Sequence, residues 1–184
     1  MTKILIWLLI ALNFSSSDKN PEINFDDNKV LWGDRIIGWN DFVGSPPFGY
    51  DTTTGAYTMS KIEMVKPRQE RFTVPKIEVF CYFIKSESWT LLKDDYSLAH
   101  ERLHFDISEL YARKIRKAFD SLNKAEVVDG NKYKDCWNSY IIQVKEYQDL
   151  YDNEVYGDKI RQMEWEKNIK SELIKLDEFQ RPQP

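Results

Sequence analysis

Two histidines lie four residues apart in this 184-residue chain, and a glutamate directly follows the first of them. The pentad is His100-Glu101-Arg102-Leu103-His104. On a helix, residues i and i+4 project from one face about one turn apart, so two imidazoles at this spacing can bind one metal ion. The glutamate between them can reach a water molecule in an open coordination position. This pattern is typical of zinc metallohydrolases, and the ordinary alternative is a histidine pair on an amphipathic helix without a metal.

A catalytic zinc site needs a third protein ligand, and the chain contains no third histidine. The third ligand must therefore be an oxygen or a thiolate. Helical geometry excludes Glu109, because nine steps of about 100° after His100 place it on the opposite face of the helix. Ser108 and Tyr111 return to the histidine face, where Ser108 can line the site and Tyr111 is expected to pack beneath it.

Asp152 is the preferred third ligand. It lies in a stretch between two predicted helices, and a carboxylate on a returning loop can complete a metal site that begins on a helix. Glu154 and Tyr156 are the alternatives, and Tyr156 is also a candidate hydrogen-bond donor to a developing oxyanion. The competing interpretation is an acidic, solvated turn without a metal, because such residues are ordinary turn formers.

From about residue 30 to residue 90 the chain is typical of strands and turns. Three runs rich in β-branched and aromatic residues, 30–37, 56–65 and 72–84, are separated by stretches containing Gly and Pro. The third run is apolar on one face and nearly so on the other. It is therefore predicted as a central or cleft-edge strand, whose residues 77–84 could pair with an extended substrate. Trp32, Trp39, Phe42 and Trp89 are predicted to pack in the core and at strand ends, with a substrate groove as an alternative for Trp89 alone.

After residue 90 the pattern becomes helical. From Asp94 or Asp95, either of which can cap a helix, to Leu122 the chain has neither Gly nor Pro, so the pentad lies on a predicted helix. Two further helices are predicted at 132–151 and 159–176. They are separated by a break at 152–158, in which a glycine is a natural helix stop. We therefore predict an α+β fold: a small N-terminal β-sheet packed on the HExxH helix, with two C-terminal helices, as in zincins.

Residues 1–17 resemble a signal peptide, with one positive charge, about eleven apolar residues and a polar exit. The apolar run is too short for a membrane-spanning helix, so we expect a secreted or periplasmic protein without a stable membrane anchor, and a retained anchor is the alternative. Residues 18–180 are predicted to form one domain, followed by a disordered tail at 181–184. The net charge of −4 argues against a nucleic-acid partner.

Two other groups of residues have structural interpretations. The basic cluster of Arg113, Lys114, Arg116 and Lys117 is predicted to be a solvated helix face. Cys81 and Cys136 are predicted to be buried thiols, with a disulfide as the alternative in an exported protein.

Several motifs in this order resemble an exported bacterial family, the uncharacterised domain family 922, which is described as predicted secreted zinc-dependent proteases. They include Trp39-Asn40-Asp41-Phe42-Val43-Gly44, Ala99 to Ile107 around the pentad, Glu109-Leu110-Tyr111-Ala112-Arg113, Tyr151-Asp152 and Gln162-x-x-Trp165. The resemblance runs from about residue 31 to residue 173. It implies a zincin-like fold and a zinc cofactor, and the Tyr-Asp pair of the family matches Asp152.

One departure from the family concerns the third ligand. The family commonly has Thr-x-His-Gly after Tyr-Asp, whereas this chain has Glu154-Val155-Tyr156-Gly157. Asp106 matches the family's HFD motif, and it is expected to pair with a basic residue such as Arg113 or to orient a ligand histidine.

The sequence therefore predicts an exported zinc metallopeptidase that hydrolyses peptide or amide bonds, with Glu101 as general base. A hydrolase of cell-wall peptide amides is a related possibility. The alternative from another class is a binding or scaffold module of the same fold with a degenerate metal site.

Overall fold

Five short strands precede three long helices in the computed structural model, which describes residues 27–49, 55–66 and 72–181. The strands are β1 (Lys29–Leu31), β2 (Ala56–Tyr57), β3 (Ser60–Val65), β4 (Glu78–Ile84) and β5 (Trp89–Thr90). The helices are α1 (Asp95–Lys124), α2 (Gly130–Val155) and α3 (Lys159–Lys175). The α+β class predicted from the sequence is confirmed.

The larger sheet is antiparallel, with the order β1-β4-β3. Its central strand β4 is buried on both faces, as its apolar pattern predicts. In the register of β3 with β4, Ser60 pairs with Phe83 and Ile62 with Cys81. The other edge of β3 has no strand partner among the described residues. A second sheet pairs β2 with β5.

The predicted strands are longer than the observed ones for local reasons. The first run ends at Leu31 because a turn follows, with Gly33 in the left-handed region at φ 92°. The third run begins only at Glu78, since Pro75 lacks the N–H that a ladder requires. The second run is divided between β2 and β3, and at the division the Met59 N–H donates to the Ser88 hydroxyl.

The three helices begin and end near the predicted positions. Asp94 caps α1 by accepting a hydrogen bond from the Ser97 N–H, and Asp158 caps α3 in the same way from Ile160 and Arg161. Helix α2 extends four residues beyond its predicted end. It finishes just before Gly157, whose φ of 72° turns the chain into α3.

Helix α1 packs on both sides and separates two apolar clusters. One side contacts the larger sheet, where Phe105, Ile115 and Phe119 join the buried residues of β4. The other side contacts α2 and α3 through Leu103, Ile107 and Leu110, among others. A helix buried on two sides is rigid, so side chains on its remaining surface are held firmly.

This packing decides the predictions for the basic cluster and for the two cysteines. Arg113 is only 2% exposed and the side chain of Arg116 only 14%, so the prediction of a solvated basic face is wrong for both arginines. Helix α3 and the short turn Asp177–Phe179 cover Arg113. The pattern of α1 alone does not predict where these two elements pack. Cys81 is buried, Cys136 is half-buried, and both are free thiols.

The predicted signal peptide lies outside the described residues, as does nearly all of the predicted tail. Among the described residues, we find no helix with the length and apolar character needed to cross a membrane. The predicted aromatic packing is confirmed: Phe42 and Trp89 are buried, and Trp32 and Trp39 pack partly buried against the core.

Candidate metal centre

The two histidines of the pentad face each other on one side of α1. Their Nε2 atoms are 3.1 Å apart, as the i, i+4 spacing on a helix predicts. Tyr151 of α2 stacks on the His100 ring and meets the His104 ring edge-on, with ring centroids 4.7 and 5.0 Å apart. Because Tyr151 is fully buried, it restrains the orientation of both imidazoles.

Asp152 completes a three-residue cluster. Its Oδ1 atom is 3.1 Å from the Nε2 of His100 and 2.9 Å from the Nε2 of His104. The carboxylate stands on the last turn of α2 rather than in the break after it, because the helix continues to Val155. The sequence therefore predicts correctly that Asp152 joins the two histidines, but it wrongly places Asp152 in a loop instead of a helix.

The dimensions of this cluster suit one metal ion. The three donor atoms are 2.9–3.1 Å apart. In a tetrahedral site with bonds of about 2.05 Å, neighbouring ligand atoms are about 3.3 Å apart, so the donors are only slightly closer than such a site requires. His100, His104 and Asp152 could therefore hold a metal ion. Three protein ligands leave a fourth tetrahedral position open.

The electrostatics of the cluster keep Asp152 ionised. Burial acts to raise the pKa of Asp152, but the hydrogen bonds and charges of His100 and His104 outweigh it and hold that pKa well below its usual range. Burial acts to lower the pKa of His104, and the neighbouring Asp152 raises it overall. The carboxylate is thus ionised at neutral pH and available as a ligand.

Glu101 lies beside the cluster and is nearly enclosed. The residue is 4% exposed, and its Oε2 atom has no hydrogen-bond partner among the described residues. Burial raises the pKa of Glu101, while the two histidines act against that shift. Its position is supported through the backbone, because the Thr58 hydroxyl donates to the Glu101 carbonyl at 3.1 Å. A buried carboxyl with a free oxygen beside a candidate metal site can accept a proton.

Gln148 is a residue of this site that the sequence interpretation missed. It lies one turn before Asp152 on α2, and its Oε1 atom is 2.5 Å from the Nδ1 of His104. Its Nε2 group donates to the His104 carbonyl and to the Ser108 hydroxyl, at 2.9 and 3.1 Å. The i, i+4 spacing from Asp152 is the only sequence signal for it, and that signal requires α2 to extend past its predicted end.

Ser108 and Tyr111 occupy the positions that helical geometry predicts. The Ser108 hydroxyl lines the cleft and lies 2.6 Å from the hydroxyl of Ser60 on β3. Tyr111 is buried beneath the site against Tyr147. Glu109 points to the far side of α1, as predicted, where it pairs with Arg113.

Glu154 and Tyr156, the other candidate ligands, have surroundings that differ from those of Asp152. The Glu154 carboxylate pairs with Arg161 and accepts from the Trp165 indole at 3.0 Å, so those groups occupy it. Tyr156 follows the last residue of α2 on the rim of the cleft and is 80% exposed.

Asp106 has neither of its predicted partners. It accepts a hydrogen bond from the Trp32 indole at 2.7 Å. Among the described residues, no hydrogen bond or ion pair joins it to either histidine or to Arg113. Trp32 reaches it because β1 and the turn after it lie against this side of α1.

The cluster opens into a cleft with a volume of about 1240 Å³. Helix α1 contributes His100, Glu101 and His104, the stretch 55–63 forms one wall, and α2 forms the other. The wall at 55–63 includes the outer edge of β3. The prediction that residues 77–84 offer an edge to substrate is wrong, because β4 lies between β1 and β3, and β3 is the edge strand that lines the cleft.

Comparisons with protein-family models, with curated proteins and with solved structures find no match to this chain. The resemblance to domain family 922 therefore stays a prediction.

Proposed function

We propose that this protein is an exported zinc-dependent metallopeptidase whose metal is held by His100, His104 and Asp152. The observation that carries the proposal is the position of Glu101, a buried carboxyl with a free oxygen, beside these three donors in one cleft. The resemblance to domain family 922 and the predicted signal peptide support the same activity and location.

The donor set favours zinc among the common metals. Two imidazoles and a carboxylate at these distances match the three protein ligands of a catalytic zinc site. The same set also suits non-haem iron, but an HExxH helix with a buried glutamate is the arrangement of a hydrolase. When bound, the zinc would polarise the scissile carbonyl and lower the pKa of a coordinated water.

Glu101 carries the proton chemistry. As general base it accepts a proton from the attacking water, whose oxygen forms the new bond to the carbonyl carbon. As general acid it then returns that proton to the leaving amine when the C–N bond breaks. Burial of Glu101 raises its pKa and so brings it closer to the range in which both transfers are efficient.

An extended peptide is the proposed substrate. The cleft exceeds the 300–1,000 Å³ that is usual for small-molecule pockets, and one of its walls includes an edge strand. A peptide that pairs with β3 would run along α1 past the two histidines. Tyr156 on the rim is our candidate donor to the oxyanion, and Tyr156→Phe is expected to lower kcat more than it changes KM.

The experiment that tests the proposed function compares zinc-loaded wild type with Glu101→Gln on a peptide library and on cell-wall peptides. The substitution keeps the size of the side chain but removes the base. We expect zinc content to persist and hydrolysis to fall by roughly 10²- to 10⁴-fold.

Equal cleavage by both proteins would refute the role of Glu101. If zinc-loaded wild type cleaves neither substrate set, a binding or scaffold module of the same fold becomes the better account. Cleavage of cell-wall peptides alone would define the substrate as a cell-wall amide.

A further inference from the structure

The side-chain amide of Gln148 joins a candidate metal ligand to two other elements of the cleft. Its oxygen lies 2.5 Å from the Nδ1 of His104. Its nitrogen donates to the carbonyl of the same histidine and to the Ser108 hydroxyl, which in turn lies 2.6 Å from the Ser60 hydroxyl at the start of β3. These contacts span α2, α1 and the wall of the cleft.

The orientation of this amide follows from the chemistry of its partners. A backbone carbonyl can only accept a hydrogen bond, so the amide nitrogen of Gln148 must face the His104 carbonyl. The amide oxygen must then face the imidazole, and because that oxygen only accepts, the Nδ1 of His104 must carry a proton. In a neutral imidazole with a proton on Nδ1, the lone pair is on Nε2.

We propose that Gln148 is a positioning residue that keeps the Nδ1 of His104 protonated and thereby presents the Nε2 lone pair to the metal. This inference rests on the proposed metal-dependent function. The Nε2 of His104 is the atom that faces Asp152 and His100, so the hydrogen bond at Nδ1 and the metal at Nε2 use opposite sides of one ring. Outer partners of this kind typically change metal affinity by 10- to 100-fold when they are removed.

The test has two readouts, and the first needs no metal. At a pH where both imidazoles are neutral, nitrogen-15 NMR of the histidine rings in metal-free protein should show His104 with a protonated, exchange-protected Nδ1. The His100→Ala variant assigns the signals because the chain has only two histidines. Gln148→Leu should lose that protection. A wild-type His104 without a proton on Nδ1, or an Nδ1 signal that Gln148→Leu leaves unchanged, would overturn the inference.

The second readout is zinc affinity, measured by competition with a chelator. We expect Gln148→Leu to weaken zinc binding by about 10- to 100-fold. Gln148→Glu, which keeps an acceptor for Nδ1 but not the two donations, should recover most of that loss. The matched control is Gln143→Leu on the same helix, since Gln143 is exposed and bonds to Ser139; it should leave affinity unchanged.

The outcomes separate this inference from the proposed function. If wild type binds zinc and Gln148→Leu binds it equally well, the positioning role is wrong while the metal site stands. If wild type binds no zinc, the proposed function fails, and a protected Nδ1 proton would then make Gln148 a structural residue only. A loss of affinity that Gln148→Glu does not recover would assign the effect to packing of α2 and would also overturn the positioning role.

Discussion

Helix α1 carries two clusters of buried charge on opposite sides, and they differ in how the charges are satisfied. On one side, Glu109 is 2% exposed and accepts hydrogen bonds from Arg113 and Arg116, at 3.1 and 2.8 Å. The two arginines also donate to the carbonyls of Leu173 and Val79. Every charge in this cluster has an opposite charge beside it, and the partners come from several elements.

The other cluster pairs its carboxylates with two imidazoles and, among the described residues, with no arginine or lysine. Glu101 is buried with one oxygen free, and Asp152 is ionised between two imidazoles. A divalent cation would balance these two carboxylates, whereas a protein that used them only for stability would be expected to supply an arginine or lysine. We infer that the Glu109 cluster is structural and that the Glu101 cluster is functional.

The largest expected effect compares the same substitution in the two clusters. Glu109→Gln leaves two buried arginines short of a negative partner and should lower the free energy of unfolding by about 3–5 kcal/mol. Glu101→Gln removes a buried carboxylate that has an unpartnered oxygen and should change the stability of metal-free protein by no more than about 1 kcal/mol. Urea denaturation in the presence of a chelator measures both. A similar loss of unfolding free energy in the two variants would contradict the distinction between a structural and a functional cluster.

A second prediction concerns stabilisation by zinc. At a free zinc concentration 100-fold above its Kd, the free energy of unfolding should rise by about 2.7 kcal/mol, because the metal binds the folded state. His104→Ala should abolish this increment, and Glu109→Gln should keep it despite its lower baseline stability. Unfolding curves with and without zinc provide the measurement, and an increment that survives in His104→Ala would place the metal elsewhere.

Much of the site could be predicted from the sequence because it depends on local geometry. The spacing of His100 and His104 gives a shared face on any helix, and the lack of a third histidine directs attention to oxygen ligands. Gln148 was missed because its only sequence signal, the i, i+4 spacing to Asp152, requires α2 to extend past its predicted end, and its contact with His104 is non-local. The burial of Arg113 depends similarly on where α3 and the turn after it pack.

The fold shows the same division between local and non-local information. Helix starts at Asp94 and Asp158 follow from capping chemistry that is visible in the sequence. The edge position of β3 follows from pairing with β4, which no periodicity encodes, so the wrong strand was predicted to face substrate.

A smaller effect is expected at Asp106, which lies between the two clusters along α1. Asp106→Asn retains an oxygen that can accept the Trp32 hydrogen bond, so stability should change by about 1 kcal/mol or less. Zinc affinity should not change, since the carboxylate binds no ligand histidine. Titration of zinc into the variant tests this, and a tenfold loss of affinity would show that Asp106 supports the metal after all.

The smallest effect is expected at an ion pair outside both clusters. The hydrogen bond from Arg35 lowers the pKa of Asp41, so this group adds stability above about pH 4 and loses it as pH falls through its lowered folded-state pKa. Because Arg35 is half-exposed, Asp41→Asn should cost about 1 kcal/mol or less at pH 7. The loss of unfolding free energy caused by Asp41→Asn should vanish in acid. Urea denaturation across pH 2–7 measures it. A cost that stays constant with pH would rule out the ion pair as its cause.

Elemental analysis of the purified protein, freed of loosely bound metal by dialysis, tests the central claim most directly. We predict one zinc per chain in the wild type, and little or none in His100→Ala, His104→Ala and Asp152→Ala. Glu101→Gln and Glu109→Gln should both retain the metal. Iron in place of zinc would contradict the proposed chemistry, and substoichiometric zinc that the three ligand substitutions leave unchanged would contradict the site itself.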